Sequence, residues 1–273
     1  MERSRENFGD VLEREPLEKE VEVSNFIEAS KRSVPEALSG MIKDSRFVLV
    51  GEMHTGECEP VRHDVVNSLA RLQREGLTHV ALELKSDHQR IIDSLDYSDP
   101  DIKKVLDGKN IRPILWSDGN WDILIEAKRL GLKVVLLDYD DGRPESEHEN
   151  SRWQNLRDSK MEEVLSGQID EESKTLILIG NDHVQKKELG TYEDGKTKRL
   201  GMRLSEKYGG DTVKSIRHVS EEGAFDGLWS FMTDSPTPKS ISKGNKEAII
   251  IPDDGPVKGD PRVTGADYIV AIV

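Results

Sequence analysis

Arg46-Phe47-Val48-Leu49-Val50-Gly51-Glu52 is an apolar run closed by a glycine and an acid, with Met53-His54 immediately after it. Its apolar residues are continuous rather than alternating, the pattern of a strand covered on both faces in a parallel sheet. His79–Leu84 (HVALEL), Lys133–Asp138 (KVVLLD) and Lys174–Ile179 (KTLILI) have the same character, and Thr212–His218 reads as a further strand. Helical stretches separate them. Val61–Glu75 carries Val65, Leu69 and Leu72 on one face, and Asp87–Leu95, Asp101–Leu106, Trp121–Leu130, about Glu149 to Leu165, and Lys198–Tyr208 follow. Strands alternating with helices predict right-handed βαβ units, hence an α/β fold: a mainly parallel sheet flanked by helices, with its site at the carboxyl ends of the strands.

Outward from this centre the pattern loosens. Phe26, Ile27, Val34, Leu38 and Ile42 recur at helical spacing interrupted by Pro35, which suggests two short helices. Residues 1–22 are dominated by charge and read as a flexible arm; 23–273 read as a single α/β domain. From about residue 221 the chain is rich in Gly, Pro, Ser and Asp. In that extension Ala248–Ile251 and Tyr268–Val273 suggest late strands at a sheet edge, and Ser235–Asn245 a loop.

Composition narrows the function classes. The 273 residues include 39 Lys and Arg against 53 Asp and Glu, a formal charge of −14, which argues against a broad nucleic-acid footprint. The longest apolar run, Tyr268–Val273, has six residues, whereas a membrane span needs about 18 or more. No secretory signal is visible, so a cytoplasmic location is expected. The single cysteine, Cys58, excludes an intrachain disulfide framework and a multi-cysteine zinc module. No HExxH, P-loop, GxSxG or GxGxxG pattern is present.

Ligands of open α/β sheets bind beyond the carboxyl ends of the strands, so the residues after each apolar run matter most. These are Gly51-Glu52-Met53-His54, Ala81-Leu82-Glu83, Asp138-Tyr139-Asp140, Gly180-Asn181-Asp182-His183 and Arg217-His218. The first and fourth share the form Gly-x-x-His, in which the glycine would let the chain leave the sheet sharply. Glu52 and Glu83 suit a paired acid and base or oxygen ligands; His54 and His183 suit metal ligands or proton shuttles. The alternative for Glu83 is a structural salt bridge with Arg62 or Arg157. Asp138, Asp140 and His218 are weaker candidates. Cys58, four residues after His54, suits a further ligand or a Cys–His pair, but Glu57 and Glu59 beside it would raise its thiol pKa. His63, His79, His88 and His148 read as solvated or capping residues.

Val48-Leu-Val-Gly51-Glu52-Met-His54-Thr-Gly56, then Gly76-x-x-x-Val80-Ala81-Leu82-Glu83, Leu156-Arg157-Asp158-Ser-Lys-Met161 and Leu178-Ile179-Gly180-Asn-Asp-His183 resemble the motifs of the erythromycin esterase, ChaN-like and TraB/Tiki superfamily. The resemblance covers about Arg46 to Val184. It implies an α/β fold and a site made of Glu52, His54, Glu83, Arg157 and His183. Its branches differ: Tiki-like members are described as metal-dependent peptidases, the esterases as metal-independent hydrolases with a histidine base, and ChaN-like lipoproteins as haem binders.

The leading expectation is a hydrolase of an ester or amide bond acting on a small molecule or peptide. In its metal form His54, Glu83 and His183 hold zinc, manganese or iron, with Glu52 as an alternative carboxylate ligand, and Arg157 stabilises the oxyanion. In its metal-free form His54 is the base, oriented by Glu52 or Glu83. The alternative is a protein that binds haem or another anionic ligand without turnover, with Trp116, Trp121, Tyr139 and Trp153 as aromatic walls. A third reading is an acidic interaction protein on a degenerate hydrolase scaffold.

Overall fold

The computed structural model describes residues 32–52, 58–109, 111, 118–139, 147–186, 197–218, 248–252 and 267–272. The arm 1–22, Phe26 and Ile27, Ser235–Asn245, His54, Trp116 and Asp140 lie outside them.

Within these residues the chain forms β1 (Arg32–Ser33), α1 (Val34–Asp44), β2 (Phe47–Glu52), α2 (Glu59–Arg74), β3 (His79–Lys85), α3 (Gln89–Asp93) and α4 (Ile102–Gly108). There follow α5 (Asp118–Arg129), β4 (Lys133–Asp138), α6 (Glu147–Gln168), β5 (Thr175–Gly180), α7 (Leu200–Tyr208), β6 (Val213–His218), β7 (Ala248–Pro252) and β8 (Tyr268–Ile272). Pro35 opens α1, the second of the two helices expected here, since a first-turn proline loses no hydrogen bond it would otherwise make; the first, around Phe26 and Ile27, lies outside the described residues.

The strands form one sheet in the order β1-β7-β8-β6-β2-β5-β3-β4. The five strands β6, β2, β5, β3 and β4 are parallel, which is the expected core. The late runs extend it as anticipated: β8 joins β6 in parallel, β7 joins β8 antiparallel, and β1 joins β7 antiparallel.

Strand alternation sends residues to two apolar layers. Val48 and Val50 of β2, with Val80 and Leu82 of β3, pack under α1, α2 and α5. Phe47 and Leu49 of β2, with Ala81 of β3 and Ile177 and Ile179 of β5, pack under α6 and α7 through Met161, Leu165, Leu200 and Leu204. His79, at the start of β3, is buried, where the sequence suggests a solvated or capping residue.

The chain leaves β2 across β5 to reach β3, and leaves β5 back across β2 to reach β6. Connections therefore part beyond the carboxyl ends of β2 and β5, where an open α/β sheet makes its crevice.

Candidate functional site

Glu83 sits on an irregularity of β3. Leu82 pairs with Leu136 but Lys85 pairs with Asp138, so Glu83 and Leu84 together oppose one residue of β4. Such a bulge re-aims a side chain and ends regular pairing. The Glu83 carboxylate turns to the α6 side, where Oε1 accepts a 2.5 Å bond from Arg157 Nη2 and Oε2 a 2.6 Å bond from the backbone N–H of Gly180.

Arg157 is the hub of this constellation. Its Nε donates to Asp138 Oδ1 at 2.7 Å, and its Nη1 lies 3.1 Å from His183 Nε2. One turn back on α6, the Trp153 ring stacks against the guanidinium at 5.5 Å. Burial opposes charge on Arg157, but hydrogen bonds and attraction from Asp138 and Glu83 outweigh it and raise its pKa, so it stays a cation.

A short helical turn, Asn181–Val184, follows β5 and carries His183 inward. Its Nδ1 is 2.6 Å from Asp158 Oδ1, while Nε2 is 3.7 Å from Glu83 Oε1. Arginine has no acceptor, so in the neutral ring Nε2 presents its lone pair to Arg157 and the proton sits on Nδ1, donated to Asp158. Asp158 is wholly buried; it also accepts a 2.9 Å bond from the N–H of Leu200 at the start of α7, and Arg199 Nη1 is 3.5 Å away. Burial disfavours the imidazolium of His183 and Arg157 adds to that, yet Asp158 and Glu83 prevail and raise its pKa.

A second constellation surrounds Glu52, beneath α2 and α5. Arg62, 1% exposed, donates from Nε to Glu52 Oε2 at 2.9 Å and from Nη1 to Glu59 at 3.0 Å. Asn120 of α5 donates to Glu52 Oε1 at 3.2 Å. Beside them Cys58 Sγ lies 3.1 Å from His218 Nδ1, both buried. Burial lowers the His218 pKa to about 4, Glu52 raising it and Arg62 lowering it in smaller measure. Glu52, Arg62, Cys58, His218, Val50 and Leu178 line a cavity of about 10 Å3, the space of a single water.

The two constellations meet at the tip of β5. Asn181 donates from Nδ2 to the His218 carbonyl at 2.6 Å and accepts from the His218 N–H at 2.8 Å. Gly51 packs against the same amide, where an added Cβ would stand 2.5 Å from Asn181 Oδ1 and 3.1 Å from the Ile216 carbonyl. Gly51 is thus a paired residue inside β2 that permits close approach, rather than the point where the chain turns out of the sheet.

Of the site residues expected from sequence, Glu83, Arg157 and His183 are brought into contact, and Glu52 is held by Arg62 and Asn120 in the other constellation. His54 lies outside the described residues. Asp138, rated weak from sequence, is bonded to Arg157, and the partner of Cys58 is His218. Asp158 and Asn120 were not anticipated. A signal for Asp158 existed: it precedes buried Met161 and Leu165 by three and seven residues, so an acid stands on the apolar stripe of the helix.

Among the described residues no group of three or more His, Cys, Asp and Glu is arranged to hold a metal. Glu83 and His183 do not suit a cation as they stand. Arg157 already neutralises the carboxylate and faces the His183 lone pair, and a dication would have to displace that guanidinium. Two of the expected haem walls, Trp121 and Trp153, are similarly committed, and Trp116 lies outside the described residues. Trp121 is wholly buried and donates to Asp107 at 3.1 Å, and Trp153 covers Arg157; Tyr139 borders an open groove.

Neither a family model nor a curated protein matches the sequence. Solved structures do match. Erythromycin esterase EreC in its open conformation superposes with a TM-score of 0.57 at 14% identity, over 86% of this chain and 92% of that one. RRSP, a MARTX toxin effector domain from Vibrio vulnificus, gives a TM-score of 0.50 at 22% identity over 70% of this chain and 37% of its own. Several other bacterial toxin chains that match are likewise longer, this chain spanning 24% to 38% of their length. ChaN of Campylobacter jejuni, solved with cofacial haem, gives 0.47 at 13% identity over 87% of this chain and 91% of that one. The chain shares an α/β fold with EreC and RRSP.

Proposed function

We propose that the chain is a hydrolase of an ester or amide bond that works by acid–base chemistry, without a resident divalent metal. The observation that carries this reading is the continuous chain Asp158–His183–Arg157–Glu83 at the carboxyl ends of β3 and β5. Asp158 fixes His183 in the tautomer whose Nε2 carries the lone pair. A substrate carbonyl that draws the Arg157 guanidinium toward itself exposes that lone pair to an attacking water. His183 then takes the water's proton, and Asp158 stabilises the resulting imidazolium. Arg157, which Glu83 and Asp138 keep charged and close to the site, supplies the positive charge for the tetrahedral oxyanion. The imidazolium finally returns its proton to the leaving group. Glu52 and His54 complete the motif set in this proposal. The shared fold with an esterase supports the class but does not choose the substrate.

The test is hydrolysis of a panel of nitrophenyl esters and fluorogenic peptides in the presence of a chelator. Wild type should turn over at least one class, and His183→Ala and Glu83→Gln should each lose about 10²-fold or more. Activity seen only after divalent ions are added would reinstate the metal form. A Soret band on adding haemin, with no hydrolysis in either condition, would replace catalysis by ligand binding.

A further inference from the structure

Arg199, at the threshold of α7, is only 7% exposed. Among the described residues its side chain meets one group, Asp158, whose Oδ2 lies 3.5 Å from Nη1. That distance is the outer limit of a hydrogen bond. An arginine recruited only to neutralise Asp158 would close on it through two parallel bonds of about 2.8 Å. Instead Asp158 Oδ1 is satisfied by His183 and the Leu200 N–H, and the Nε–Nη2 edge of Arg199 has no acceptor among the described residues. This edge carries the pair of parallel N–H groups that fits a carboxylate. Holding a guanidinium out of water with its donors idle is costly, so the arrangement calls for an acceptor from outside the chain.

Two further polar atoms belong to the same neighbourhood. Thr197 Oγ1 and Gln154 Oε1 are both buried without a hydrogen-bond partner. Thr197 lies two residues before Arg199, whose backbone is extended, so the two side chains leave the chain on the same side. Between them the Lys198 N–H donates to Asn155 Oδ1 at 2.8 Å, which seats Thr197 against the turn of α6 that carries Gln154. Gln154 stands four residues before buried Asp158 and therefore on the same face of α6.

We propose that Arg199 and Thr197 form a subsite for a carboxylate carried by the molecule on which the Asp158–His183–Arg157–Glu83 chain acts. The Nε and Nη2 of Arg199 grip the two oxygens, and the Thr197 hydroxyl donates a third bond. Asp158 keeps its bonds from His183 and Leu200, so Arg199 turns to the ligand without stranding it. Gln154 Oε1 accepts an N–H beside the carboxylate. A carboxylate next to an amide N–H is the end of an N-acylated amino acid or of a peptide, which names the substrate class. A phosphate would bring a second negative charge close to Asp158, Glu83 and Asp138, and is disfavoured. The carboxylate's place in a substrate rests on the hydrolase reading; its binding does not.

The experiment titrates the full chain with hippurate (N-benzoylglycine), with its uncharged amide hippuramide and with inorganic phosphate, by calorimetry and by the arginine Nε–H NMR signals. Hippurate should bind more tightly than hippuramide by about tenfold or more, the scale of a charge-assisted pair, and should shift one Nε–H signal that Arg199→Gln removes. Arg199→Gln should bring the two affinities within about threefold of each other, a ratio that cancels any general loosening of the fold. Thr197→Val removes a hydroxyl that has no bond in the free protein, so it should weaken hippurate about threefold or more without lowering the unfolding midpoint. Equal binding of hippurate and hippuramide, a preference that survives Arg199→Gln, indifference to Thr197→Val, phosphate bound as tightly as hippurate, or no binding at all overturns the proposal. Hippurate binding with no hydrolysis of any ester or amide sinks the hydrolase reading alone. Hydrolysis that is equally fast for free-acid and amidated peptides, with no hippurate bound, sinks the subsite alone.

Discussion

Asp158 and His183, 25 residues apart in sequence, share a 2.6 Å hydrogen bond that also ties the start of α7 to the site, because Leu200 donates to the same carboxylate oxygen. Asp158→Asn keeps an acceptor but removes the charge. Burial and Arg157 are then opposed by the Glu83 charge without that of Asp158, and the His183 titration should fall. The sign follows from linkage. A raised imidazole pKa adds stability below pH 6.5 that is lost as pH rises through the folded value, so the variant should lose stability mainly on the acid side. Imidazole resonances followed by NMR against pH give the direct readout; an unmoved titration refutes the assigned role of Asp158.

His218 acts in the opposite sense. Its pKa falls to about 4 in the fold, against 6.5 when unfolded, so the unfolded chain binds the extra proton between these values. Stability should therefore rise with pH across that window, by about 3 kcal/mol from this group. Urea unfolding of wild type and His218→Gln at pH 4.5 and 7 isolates the term, since the difference between the chains cancels the contribution of His183.

Arg157 bridges Glu83, Asp138 and His183 from a half-buried position. Arg157→Leu strands two carboxylates at the sheet edge and should cost about 3–5 kcal/mol. Arg157→Lys should recover only part of that loss, because one ammonium cannot reproduce a fork that meets both carboxylates at once. Denaturant midpoints of the three proteins decide the matter, and full recovery in Arg157→Lys would mean the fork geometry is irrelevant.

Gly51→Ala would drive a Cβ to 2.5 Å from Asn181 Oδ1 and 3.1 Å from the Ile216 carbonyl. The expected cost is about 1–3 kcal/mol, read by thermal unfolding. A neutral outcome would show that Asn181 can turn away without loss of its bonds to His218.

The strands were legible because each is a continuous apolar run, and their carboxyl ends name Glu83 and His183 directly. What the runs cannot show is register. Leu82 and Leu84 enter one core layer while Glu83 turns to the other, and the extra residue that β3 carries against β4 appears only once the strands are paired. The same limit hid the separate company of Glu52, whose partners Arg62 and Asn120 come from helices 10 and 68 residues onward. Asp158 has no role legible in its helix motif, because its burial shows only once Met161 and Leu165 are packed on the same stripe. Cys58 and His218 are 160 residues apart, beyond any local pattern.

At the tip of β5, consecutive residues face different duties: the Gly180 N–H holds Glu83, while the Asn181 amide grips the end of β6 from which His218 reaches Cys58. The two polar sets are therefore mechanically in series, and their energies should not be separable. In a double-mutant cycle, Asn181→Ala combined with Glu83→Gln should depart from additivity by about 0.5 kcal/mol or more, as for residues sharing a backbone support. A substitution beneath α2 would then be felt as a change in how firmly the carboxylate beneath α6 is aimed.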